Sequence, residues 1–175
     1  MISLKDTSHI PAPPSAVWKC FAEMDTHYLA WHPDHIAFRN IEGNFTVPHG
    51  VVYADEKIGW MRLRGKFHVV RAEKERYFEW KAGFPNSLTH TGGWFEIKPT
   101  DDNECDLIAE THFGSSARVI GPIIDRVLAA ILPVDEIRRH MAKEGENLPR
   151  LIPDQDSRSN TASTTGMSER ISPLA

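Results

Sequence analysis

Apolar positions along the chain follow three successive patterns. Residues 2–9 alternate loosely around Ile2, Leu4 and Ile10, which predicts a first strand ended by Pro11, Pro13 and Pro14. Pro14 then opens a short helix, because proline suits a first helical turn and Val17, Trp18 and Phe21 recur at helical spacing. A second short helix or turn carries Asp25 to Trp31 and is stopped by Pro33.

From Ile36 to Phe113 the pattern becomes that of strands. Six are predicted, at Ile36–Ile41, Val51–Ile58, Met61–Val70, Arg76–Ala82, His90–Ile97 and Asp106–Phe113, with Gly, Asn, Pro and Asp between them. Consecutive strands with short links argue for an antiparallel meander. Ser115 to Asn147 then reads as helix, with a broad apolar stripe running from Val119 through Ile123, Val127, Ile131 and Ile137 to Met141. Pro133 should kink or divide it. The order describes an α+β domain over residues 1–152, a curved antiparallel sheet wrapped around a long C-terminal helix, with two short helices after the first strand. Beyond it, residues 153–175 turn rich in Ser, Thr, Asn and Asp, and a disordered tail is expected.

Composition narrows the class of function. A chain of 175 residues suffices for one domain with a sizeable core and an internal cavity. A net charge of −4 without a basic cluster gives no reason to expect nucleic acid as a partner. No apolar run reaches the roughly 18 residues of a membrane span, and the N-terminus does not read as a signal peptide, so a cytoplasmic protein with no membrane partner is expected. Cys20 and Cys105 lie in unlike contexts and indicate no disulfide framework. An apolar helix flank or an exposed sheet face could mediate a homodimer.

Histidine usage is the informative departure. Four of the nine histidines, His27, His32, His35 and His49, fall within 23 positions. In Trp31-His32-Pro33-Asp34-His35, Pro33 fixes the backbone between two imidazoles and Asp34 could orient a ring, His32 being the nearest. His140 and Glu144 stand at i and i+4 on one helix face, where an imidazole nitrogen and a carboxylate oxygen can converge. On Val51–Ile58, alternation sets Glu56 on the face of Val52, Ala54 and Ile58. An inward carboxylate must be protonated, paired with a cation or bound to a metal.

The strand and helix order, with Ile10-Pro11-Ala12-Pro13-Pro14-Ser15-Ala16-Val17-Trp18, resembles the START-like superfamily of pollen-allergen-type, cyclase-type and lipid-binding proteins and implies its helix-grip fold. Tyr28-x-x-Trp31-His32-Pro33-x-His35, the inward Glu56 and His140-x-x-x-Glu144 resemble more narrowly the 2,4-diacetylphloroglucinol hydrolase family. That resemblance implies a zinc-dependent hydrolase acting on a carbon–carbon bond of an acyl-phenol or related carbonyl compound. By position it implies zinc ligands His35, Glu56, His140 and Glu144, with His32 or His27 as substitutes for His35. It also implies Tyr28 as the substrate-binding tyrosine, with Trp31 and His90 beside the substrate, while Tyr28, His32 and Asp34 are the candidate catalytic side chains. Ligand type alone would equally accept iron or manganese. Two other readings use the same residues differently. One is a non-catalytic START-like carrier of a hydrophobic, aromatic or polyketide-like molecule. The other is a metal-independent polyketide cyclase or dehydratase.

Overall fold

A computed structural model describes residues 1–115, 117 and 121–152. Strand β1 (Ile2–Ile10) leads into helices α1 (Pro14–Ala22) and α2 (Met24–Trp31). Six strands follow: β2 (His35–Glu42), β3 (Val51–Ile58), β4 (Met61–Glu73), β5 (Tyr77–Ala82), β6 (His90–Asp101) and β7 (Glu104–Phe113). Helices α3 (Gly121–Ile131) and α4 (Val134–Asn147) close the described chain. All seven strands form one antiparallel sheet in the order β1-β7-β6-β5-β4-β3-β2. Its two edge strands are therefore β1 and β2, joined by α1 and α2. This is the helix-grip α+β architecture expected.

Two strands run past their predicted ends. Pairing of β4 with β5 continues to Glu73↔Tyr77, and pairing of β6 with β7 to Asp101↔Glu104. Tight hairpins extend the ladder over polar residues that have no apolar alternation to announce them. Register shifts in β2, β4 and β6 bend the sheet into a concave shell.

Inside that shell lies an aromatic core. Phe21 makes edge contacts with Trp31 and Phe78, and Phe78 stacks on Phe95 and Phe45. Trp18 also belongs to this core, whereas Trp60 is 64% exposed in the β3–β4 turn and Trp94 lies with Tyr77. Cys20 and Cys105 are buried free thiols.

Pro133 divides the last helical region, with its φ of −77° and ψ of 68° outside the helical range. Only α4 follows the predicted stripe inward, burying Ile137, His140, Met141 and Gly145 against β1 and β3. In α3 the apolar face of Ile123, Val127 and Ile131 is half or more exposed. The periodicity there is real, but the break at Pro133 releases α3 from the groove that α4 fills. Val119, Ile120 and the tail 153–175 lie outside the described residues.

Seating of α4 depends on Gly145. A Cβ built there would fall 1.7 Å from Ser8 Oγ and 2.4 Å from Ser8 Cβ, so the helix and β1 touch at backbone distance. Alanine in a helix interior ordinarily stabilises by roughly 0.5–1 kcal/mol relative to glycine. Here overpacking dominates, and G145A is expected to destabilise by about 1–3 kcal/mol in urea unfolding. Adding S8G to G145A should recover most of that loss, and no recovery would place the cost elsewhere.

Candidate functional site

His35 and Glu56 face one another across the sheet as register partners on β2 and β3. A bulge immediately after His35 separates it from the regular ladder and lets its ring turn inward. Trp31 and Asn147 lock α4 over this pair, since Trp31 Nε1–H donates to the Glu144 carbonyl at 2.8 Å and Asn147 Nδ2–H to the Trp31 carbonyl at 2.9 Å.

The result is one compact group. His35 Nε2 lies 3.0 Å from Glu144 Oε1 and 3.7 Å from Glu56 Oε2. His140 Nε2 lies 3.5 Å from Glu144 Oε1 and 3.7 Å from Glu56 Oε2. All four side chains predicted to meet therefore do so. His27 does not take the place of His35, because it points to Glu23 on the solvent side at 3.9 Å.

The outer nitrogens of the two inward histidines are also engaged. His35 Nδ1–H donates to the Tyr28 carbonyl at 2.7 Å. His140 Nδ1 is 3.3 Å from Asp34 Oδ2. Asp34 was expected to orient His32, and here the structure differs. His32 Nδ1 instead accepts the backbone N–H of Asp34 at 3.0 Å, which occupies the lone pair a carboxylate cannot use. His32 and Asp34 line an outer crevice with Arg139 and Lys143, apart from the cavity, so His32 is not placed to touch a molecule bound inside.

Charge balance explains the group's cohesion. Burial raises the pKa of Glu56, with the neighbouring Glu144 charge acting the same way, while His140 and His35 act against it. Burial likewise opposes ionisation of Glu144, but attraction and hydrogen bonding from His140 and His35 outweigh it and pull the value down to about 2. Burial also disfavours the charged form of His140, yet Glu144, Glu56 and Asp34 outweigh it and raise its pKa from 6.5 to about 9. Tyr28 stacks on His35 with ring centroids 3.8 Å apart, and its hydroxyl donates to Glu56 at 3.3 Å. Burial, then the Glu56 and Glu144 charges, push its phenol well above the usual range and keep it protonated.

Glu56, His140 and Glu144 of this group line a cavity of about 110 Å³, with Phe21, Phe67, Phe95 and Phe113 among its walls and His35 behind them. Tyr28, Trp31 and His90 also line it. Its far side carries a feature the sequence did not announce. Trp80 Nε1 and His90 Nδ1 are buried there without a hydrogen-bond partner among the described residues. His90 Nε2 shares a hydrogen bond with Thr111 Oγ1 at 2.9 Å, and its ring stacks on Phe113. His112, two residues along β7 from Glu110, is paired with that carboxylate at 2.9 Å. Alternation on β5 could have flagged Trp80 as inward, but not that its N–H would lack an acceptor.

Comparison with known proteins gives the same fold. A family model described as polyketide cyclase/dehydrase and lipid transport matches residues 1–144. No curated protein matches by sequence. Among solved structures, the aromatase/cyclase ZhuI from Streptomyces sp. R1128 is 13% identical, covering 94% of this chain and 98% of its own, with a TM-score of 0.59. Norcoclaurine synthase from Thalictrum flavum, in complex with dopamine and hydroxybenzaldehyde, is 11% identical over 86% of each chain with a TM-score of 0.59. TTHA0849 from Thermus thermophilus is 10% identical, covering 93% of this chain and all of its own, with a TM-score of 0.61. Among the described residues, no helix is long and apolar enough to cross a membrane.

Burial of His90 has a consequence for acid stability. Desolvation, then the nearby His112, lowers its pKa to about 3. The unfolded chain protonates this imidazole below about 6.5 while the native state keeps it neutral, so stability is lost as pH falls from there toward 3. His90→Gln keeps a polar amide but cannot titrate. Between pH 6.5 and 4.5 the wild type should lose roughly 2 kcal/mol more than this variant in urea unfolding. Parallel losses in the two proteins would refute the assignment.

Proposed function

The chain belongs to the polyketide cyclase/dehydrase and lipid transport family of the START-like superfamily, and on that premise we propose that it is a metal-dependent hydrolase cleaving the bond between an acyl carbon and a phenolic ring. The observation that carries this reading is the spacing of donors around one point. A tetrahedral ion with bonds of about 2.0–2.2 Å separates its ligand atoms by roughly 3.3–3.6 Å. Each histidine Nε2 lies 3.0 to 3.7 Å from a carboxylate oxygen of Glu56 and of Glu144. His35, Glu56 and His140 each offer one ligand atom within 4.8 Å of the others, and Glu144 Oε1 lies beside both histidines as the candidate fourth donor. Two imidazoles and two carboxylates suit zinc, and would also take iron or manganese.

A bound ion would supply Lewis acidity for a carbonyl oxygen and lower the pKa of a water. This chain's residues do the rest. The cluster holds the acyl carbonyl at one side of the cavity, and the Phe walls clamp an aromatic ring, the volume being on the order of that which holds one benzene-sized ring. The Tyr28 hydroxyl, kept protonated, donates to an oxygen next to the cluster. Trp31 fixes Glu144 from behind through its backbone carbonyl. Trp80 and His90 complete the wall with their rings. Hydrolysis adds water across the bond: the hydroxyl joins the acyl carbon to give a carboxylic acid, and the proton goes to the ring carbon to give a free phenol. The norcoclaurine synthase complex, with two phenols named in it, supports a phenolic occupant.

A second reading, a metal-independent cyclase or dehydratase, draws support from the family description and from ZhuI. Elemental analysis and a chelator separate the two. The purified protein should carry about one equivalent of metal, and E56A and H140A should carry none and show no turnover of acyl-phenols. Full metal content in both variants would refute the site. Turnover that survives a chelator and needs no metal would replace the hydrolase by the cyclase reading.

A further inference from the structure

Resting on that metal reading, we infer that Asp34 is a positioning residue for His140, fixing the ring so that Nε2 faces the cavity. The inference comes from the two ends of the imidazole. Inside, Nε2 approaches Glu144 and Glu56 at 3.5 and 3.7 Å. Outside, Nδ1 meets Asp34 Oδ2 at 3.3 Å, a contact spanning 106 positions of sequence. A carboxylate on the outer nitrogen keeps that nitrogen protonated, leaves the inner lone pair free for an ion and strengthens it as a donor. The two candidate histidine ligands thus differ, since His35 leans on a neutral carbonyl of Tyr28.

Asp34 is itself held in place through its backbone. Its N–H donates to His32 Nδ1 at 3.0 Å, and its carbonyl accepts the Lys57 N–H at 3.0 Å. Lys57 follows Glu56 on β3, so the strand that supplies one candidate ligand also sets the height of the carboxylate behind another. His32 packs beside His140 with ring centroids 4.0 Å apart and limits its rotation.

A rival use of the same atoms is a second ion held by His32, Asp34 and His140, which lie close enough together. Occupied lone pairs argue against it. His32 Nδ1 is taken by the Asp34 N–H, and His140 Nδ1 carries the proton that Asp34 accepts.

The test is zinc titration by competition with a chromophoric chelator on the full-length wild type, D34N, D34A and E56A, with cobalt(II) visible spectra of each. Wild type, D34N and D34A should each bind one equivalent, while E56A binds none tightly. D34A should lose roughly 10–100-fold in affinity and D34N less, because an amide oxygen still accepts from Nδ1. The cobalt bands should shift in D34A and stay near wild type in D34N, and metal-free melting points should match throughout, which a merely structural role would not give. Should D34A fail to fold, a wild-type zinc affinity in D34N would refute the inference, as would wild-type affinity in a folded D34A. Two equivalents in wild type and one in D34A would overturn it in favour of the second ion. A wild type that takes up no metal would overturn the metal reading itself, and this inference with it.

Discussion

Two buried carboxylates that share the same histidine partners repel unless positive charge stands between them, and the architecture of this protein is arranged around meeting that demand. Glu56 comes from β3, beside the sheet edge, and Glu144 from the last helix, so the two meet only in the folded chain. His140 answers from one turn away on the same helix, and His35 answers from the facing strand. Removing one partner would leave an uncompensated buried charge, which costs several kcal/mol. The bulge after His35, the close seat of Gly145 on Ser8 and the Trp31 and Asn147 bonds to α4 all serve to bring these four groups to one point.

Local patterns in the sequence made much of this legible. Period-two alternation on Val51–Ile58 assigned Glu56 to the inner face, and the i,i+4 rule joined His140 to Glu144, because both facts depend only on backbone geometry. Pro133 marked the division of the last helical region for the same reason. Long-range contacts were not legible. That Asp34 would reach His140 rather than its near neighbour His32 depends on how a loop and a helix more than a hundred residues apart are stacked. The exposure of Ile123, Val127 and Ile131 likewise escaped, since an amphipathic period predicts a face and not what covers it.

The far side of the cavity teaches a different point about what a pattern can carry. Trp80 was readable as one of five tryptophans that either fill a core or line a pocket, and it does part of both. Its unpartnered N–H beside the unpartnered Nδ1 of His90 is a property of the assembled wall, made by β5, β6 and β7 together. A buried donor and a ring nitrogen left free are expensive in a molecule that has had every opportunity to pair them.

The fold separates what is general from what is particular to this chain. A concave sheet closed by a helix encloses the apolar cavity here, and solved structures at 10–13% identity share the fold. The shell alone therefore does not choose a reaction. What distinguishes this chain is the polarity of its cavity. Two carboxylates and the His140 imidazole line it, Trp80 and His90 contribute their rings to the wall, and further aromatic rings complete it. The proposed acylated phenol matches that polarity at the cluster and across the aromatic walls, whereas a long lipid chain matches only the walls.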